Sequence, residues 1–112
     1  MGGLLAGKYS KDTLLPEGSR ARCNPNYWER VNKTAYFKYI EGIGRISEEI
    51  GISMSQLAIA WILKNPVVTA PIIGASTVEQ VEENCRILEV KIDDRDYLEL
   101  NDFTKTCEAS LY

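Results

Sequence analysis

The sequence predicts an α/β chain, mostly helical, organised around one short buried strand. Three observations lead there. Apolar residues recur every three or four positions from Tyr27 to Ile50, and again from Val78 to Leu88, the mark of amphipathic helices. A single β-branched run, Val67-Val68-Thr69-Ala70-Pro71-Ile72-Ile73, stands between Pro66 and Gly74, as a strand buried on both faces of a parallel sheet would. Gly2, Gly3, Gly7, Gly18, Pro16 and Pro25 gather in the first 26 residues, giving them loop composition.

Composition bounds the function classes. The chain has 112 residues, which allows one domain at most. At 45% hydrophobic and a net charge of -3 it is neither a disordered chain nor a dedicated nucleic-acid binder. It contains no His, so the commonest general base and the commonest zinc ligand are both missing. No apolar run approaches the ~20 residues of a membrane span, and the start does not read as a signal peptide. Cys23, Cys85 and Cys107 are odd in number and widely spaced. They make a poor metal site and suit a reduced, cytoplasmic setting.

The elements follow in order. Trp28, Val31, Ala35, Tyr39, Ile43, Ile46 and Ile50 share one face of a long helix over 27–50. Gly42 and Gly44 weaken it by roughly 1 kcal/mol each relative to Ala, and Gly51 supplies a left-handed stop. Ser53 to Gln56 spell a capping box. Leu57 to Leu63 are apolar nearly all round, predicting a helix buried on most sides, which Asn65-Pro66 ends. Ser76 to Gln80 hold two overlapping capping boxes ahead of a helix with Val78, Val81, Cys85 and Leu88 on one face. Asp93 caps a last helix carrying Tyr97, Leu98 and Leu100, and the tail from Thr104 is expected to fray. The strand over 67–73 is the anomaly. A lone strand cannot pair its own amides, and this one is too apolar for an exposed edge. Its neighbours must come from another chain, or the sequence is a piece of a larger α/β domain.

Two segments could carry chemistry. After the apolar run, Gly74-Ala75 leads into a helix start within two or three residues, where free amides and a positive dipole end favour an anion. Ser76 adds a hydroxyl. Gln80, Glu83 and Asn84 fall three and four apart, on one face, and two amides with a carboxylate suit a base such as adenine. Ordinary helix starts use the same caps and acidic first turns, and that reading stands beside the binding one. The second segment combines Gly2, Gly3 and Gly7 with Lys8, Arg20 and Arg22. It offers close backbone approach and countercharge for a phosphate, though its spacing is not that of a P-loop. A surface loop with scattered basic residues reads the same way.

Taken together, Gly-Leu-Leu-Ala-Gly-Lys-Tyr at 3–9, Pro-Glu-Gly-Ser-Arg at 16–20, Ser-Gln-Leu-Ala-Ile-Ala-Trp at 55–61 and Pro-Ile-Ile-Gly-Ala-Ser at 71–76 with the following Glu-Gln-Val-Glu-Glu-Asn resemble the aldo-keto reductases. The resemblance is greatest to the branch holding bacterial and archaeal reductases and the potassium-channel β subunits. It implies NADPH-dependent reduction of aldehydes and ketones on a (β/α)₈ TIM barrel, of which this chain would be the C-terminal portion, residues 1–112 forming a partial domain. Residues 1–9 would end strand seven, the helices over 27–64 would lie between strands seven and eight, and 67–73 would be strand eight. Both loops then open at the C-terminal face. By position, Gly3 would sit by the cofactor pyrophosphate, with Lys8 and Arg20 in the loop over it. Gly74 would mark the strand exit, Ser76 and Gln80 the 2′-phosphate, and Glu83 and Asn84 the adenine.

The family's catalytic Asp, Tyr, Lys and His belong to the first half of the barrel, so no catalytic residue is assigned here, and no metal. A complete barrel needs about 250 residues, and Met1 falls at a position interior to the family pattern. The expectation is an NADP(H)-contacting part of a reductase, inactive alone, that joins an N-terminal barrel half or itself. The alternative is a non-catalytic helical module that oligomerises or docks on a partner. A third reading, a minimal nucleotide binder, would keep only half of the cofactor's contacts.

Overall fold

A computed structural model describes Leu5, residues 17–31 and residues 34–111. Its elements are α1 (Arg20–Cys23), α2 (Pro25–Val31), α3 (Thr34–Ile50), α4 (Met54–Leu63), α5 (Val78–Cys85), a 3₁₀ turn (Arg86–Glu89) and α6 (Asp94–Leu111). The helix expected over 27–50 is thus seen as α2 and α3, with residues 32–33 outside the described ones.

The core forms where α3, α4 and α6 meet. Ile43, Ile46, Leu57 and Leu100 are buried together, and Tyr39, Trp61, Ile92 and Phe103 pack around them. Leu57 is the most enclosed side chain, at 1% exposure. The α3–α4 connection is tight because Gly51 takes φ 82°, a conformation that costs a residue with a Cβ. The Ile52 amide then bonds the Ser47 carbonyl at 3.0 Å and the Gly51 amide the Glu48 carbonyl at 3.1 Å, a Schellman motif that satisfies the carbonyls at the end of α3. Two residues on, the Ser53 hydroxyl accepts from the Gln56 amide at 3.2 Å, while Gln56 Oε1 accepts from the Ser53 amide at 3.1 Å. Both the stop and the capping box stand as the sequence predicts.

Gly42 does not act as a mere weak point in α3. A methyl group built on it would lie 2.6 Å from Cε2 and 2.8 Å from Cε1 of Phe103, and nearer still to Cζ. The ring rests on the α3 backbone and stacks on Tyr39, with centroids 5.8 Å apart. Trp61 ties α4 to α6 from the other side, its Nε1 donating to Asn101 Oδ1 at 2.7 Å. Buried Ser47 is satisfied through its own turn, donating to the Gly44 carbonyl at 2.7 Å. The tail expected to fray continues as helix, since α6 runs to Leu111.

The strand expected over 67–73 is not formed. No strand occurs among the described residues. Val67 is 83% and Ile72 103% exposed, and Ile73 is exposed as well, so the expectation of burial fails with it. The physical reason lies in the segment's own requirement: a strand is a ladder with a neighbour, and no described part of the chain supplies one. After Pro66 the Val67 and Val68 amides turn back onto the Asn65 side chain and carbonyl, and the remainder runs irregularly over the surface. The apolar face of α5 is bare too. Val78 and Val81 are exposed, as is Cys85, and so is Leu88 in the 3₁₀ turn that follows.

Candidate functional site

The site predicted after the apolar run is built by the loop 74–77 and by α5. Of the two overlapping boxes, Thr77 provides the cap: its backbone is extended, and its hydroxyl accepts from the Gln80 amide at 3.3 Å. The Gln80 side chain folds back instead of pointing away, its Oε1 accepting from the Ser76 amide at 2.7 Å. Ser76 and Gln80 are therefore brought together directly. Glu79, in the first turn, has its carboxyl held below the usual range, first by its own backbone N–H and then by the Thr77 hydroxyl. Four of the amide and hydroxyl donors at this helix end are thus already engaged by the protein.

One turn on, Glu83 and Asn84 lie half-buried on the inner side of α5. The Glu83 carbonyl accepts from Gln56 Nε2 at 2.8 Å, and its Oε1 accepts from the Ser55 hydroxyl at 3.4 Å. Ser55 and Gln56 were legible in the sequence only as members of a capping box. The one signal that pointed further is that Gln at the third position of such a box has an NH₂ to spare once its oxygen is used. Gly74 is exposed, and a Cβ there would meet nothing within 4 Å, so the loop leaves open space beside the start of α5.

Gly3 and Lys8 lie outside the described residues. Arg20 opens α1, but its side chain lies outside them. Nearby Arg22 is exposed and reaches Glu17 at 3.8 Å, a surface pair of little energetic weight. Away from the predicted site, a cleft of about 430 Å³ runs between α4 and the start of α6, lined among others by Leu63, Lys64, Val90 and Asp94. Lys64 is committed within it. Its Nζ lies 2.6 Å from Asp94 Oδ1 and 3.0 Å from the Ile92 carbonyl, with the Tyr97 ring 5.2 Å below. The hydrogen bond from Lys64, and then its charge, hold the Asp94 carboxyl below the usual aspartate range.

Among the described residues no group of three His, Cys, Asp or Glu could hold a metal, and no helix is long and apolar enough to cross a membrane.

The arrangement around α5 gathers polar groups along one side of an exposed helix start. An open loop at Gly74, a hydroxyl at Ser76 and an amide at Gln80 stand near the helix start. A carboxylate and a further amide stand one turn away.

Comparison with known proteins defines the class. The Aldo/keto reductase family model matches residues 1–105, and the chain belongs to that family, whose members generally use NADP(H). Over 91 residues it is 38% identical to a putative voltage-gated potassium channel subunit beta of Schizosaccharomyces pombe, covering 78% of this chain and 26% of that protein. It is 35% identical to the uncharacterized oxidoreductase YrpG of Bacillus subtilis, over 90% of this chain and 28% of that one. With the L-glyceraldehyde 3-phosphate reductase of Escherichia coli K12 it shares 34% identity, over 77% and 25% respectively. The chain therefore spans about a quarter of the length of these relatives.

Proposed function

We propose that the chain is the C-terminal, NADP(H)-contacting portion of an aldo-keto reductase barrel, and that it takes part in carbonyl reduction only when the rest of the barrel is present. The observation that carries this reading is the family match over residues 1–105 in a chain that covers about a quarter of its relatives' length, joined to an exposed apolar segment where a strand was expected. Val67, Ile72 and Ile73 would then enter a parallel sheet with neighbouring strands from the missing part. Folding of the helical layer without those strands supports the same view, because α3, α4 and α6 share a core of their own.

In the assembled protein the cofactor supplies the hydride. This chain would bind and orient the cofactor: Gly3 at the pyrophosphate, Lys8 and Arg20 in the loop above it, and Gly74 at the strand exit. Ser76 and Gln80 would meet the 2′-phosphate, and Glu83 and Asn84 the adenine. The proton donor to the carbonyl oxygen would come from the other part. A cytoplasmic setting suits the cofactor and the exposed free thiols of Cys23 and Cys85.

The test is complementation. The chain mixed with the matching N-terminal portion of a relative's barrel, NADPH and an aldehyde should consume NADPH, with neither part active alone. A soluble, assembled mixture without turnover would refute the proposal. A second reading, a helical module that self-associates, is favoured by the bare apolar side chains of 67–73 and α5. A single monomeric species across a wide concentration range in sedimentation would exclude it.

A further inference from the structure

Gln56 serves two helices with one amide. Its oxygen accepts from the Ser53 N–H and closes the cap of α4, and its nitrogen donates to the Glu83 carbonyl of α5 at 2.8 Å. The opposite orientation would set NH₂ against N–H and oxygen against oxygen, so the hydrogen-bond pattern fixes which way the amide faces. Glu83 lies in the last turn of α5, where carbonyls run out of intrahelical donors. Beside this bond the Ser55 hydroxyl reaches Glu83 Oε1 at 3.4 Å. Val78 and Val81 on the same helix are exposed, so little apolar packing holds α5 in register at those positions. Ile87, buried in the turn that continues α5, anchors this end of the helix, and the two polar links from α4 fasten it at Glu83.

We propose that Ser55 and Gln56 are positioning residues that fix the Glu83 carboxylate for selection of an adenine base; this rests on the reading of α5 as the adenosine end of an NADP(H) site. With Oε1 engaged by Ser55, Oε2 is left to accept from the exocyclic amine of adenine. A hypoxanthine base presents a carbonyl oxygen there, and a carboxylate held in place repels it. A carboxylate free to swing would relax away and discriminate little, whereas a site built to receive an N–H rejects the analogue lacking it.

The experiment is an amide NMR titration of the chain, assembled with the matching N-terminal barrel portion of a relative, with NADP⁺ and with nicotinamide hypoxanthine dinucleotide phosphate. It compares the wild type with Gln56→Glu and Ser55→Ala. The glutamate keeps an oxygen for the Ser53 N–H, so the cap survives, but it sets a second oxygen against the Glu83 carbonyl. Ser55→Ala is the milder variant, leaving the Gln56 bonds intact. The wild type is expected to prefer the adenine cofactor. Gln56→Glu should lose about tenfold of that preference, equivalent to about 1.4 kcal/mol, and Ser55→Ala a smaller part, through weaker binding of the adenine cofactor and tighter binding of the hypoxanthine one. An unchanged preference in both folded variants overturns the positioning role alone. An assembled wild type that binds neither cofactor, or both equally, overturns the adenosine-site reading and this inference with it.

Discussion

Replacing Gly42 by alanine sets helix propensity against packing, and the structure says which wins. In an isolated helix the change would stabilise by about 1 kcal/mol. Here the new methyl would stand 2.6–2.8 Å from two ring carbons of Phe103, well inside contact distance. The ring cannot shift without leaving Tyr39, against which it stacks at an interplanar angle of 16°, and an aromatic pair of that kind is worth about 0.5–1.5 kcal/mol beyond its buried area. Overpacking of this sort costs about 1–3 kcal/mol. Subtracting the propensity gain leaves a net loss of about 1 kcal/mol. Urea denaturation followed by circular dichroism would read it as a lower midpoint at unchanged slope. The double variant Gly42→Ala/Phe103→Leu should recover part of the loss by opening room for the methyl. A Gly42→Ala chain as stable as the wild type, or more so, would refute the close α3–α6 approach.

Three further outcomes are expected. Ser53→Ala removes the hydroxyl that accepts from the Gln56 amide and should cost about 1 kcal/mol in the same denaturation assay. Asp94 is held below the ordinary aspartate range by Lys64; its contribution is therefore complete above the unfolded pKa of about 4 and is lost as pH falls through the lower folded value. Lys64→Met should move the Asp94 carboxyl midpoint upward in an NMR titration and flatten the acid limb of stability, and an unmoved midpoint would contradict the ion pair. Ile72→Lys changes a fully exposed side chain, so stability should move by no more than about 0.5 kcal/mol. Association with a complementing barrel portion, read by sedimentation, should nevertheless weaken.

Features governed by local chemistry were readable in the sequence. Gly51, the Ser53–Gln56 box, the Thr77 cap and the end of α4 at Asn65-Pro66 each depend on residues within a few positions of one another. Helical spacing puts Gln80, Glu83 and Asn84 on one face, but it does not show that the Gln80 side chain turns back to the Ser76 amide while Glu83 is tied to α4. Contacts between distant segments were not readable. Nothing near Gly42 announces Phe103, and nothing near Glu83 announces Gln56 and Ser55; these pairings exist only once α3, α4, α5 and α6 have packed. The run at 67–73 shows the other limit. Its composition leads to the expectation of a sheet interior, but composition cannot provide the flanking strands. Without them the described chain leaves valine and isoleucine in water.

The central claim is that residues 67–73 complete a reductase barrel when their neighbours arrive. Amide hydrogen exchange at Thr69, Ala70, Ile72 and Ile73 measures it directly, in the free chain and after addition of the matching barrel portion with NADPH. The account predicts rapid exchange in the free chain and strong protection along the segment in the mixture. Exchange that stays fast in a complex shown to have formed would contradict it.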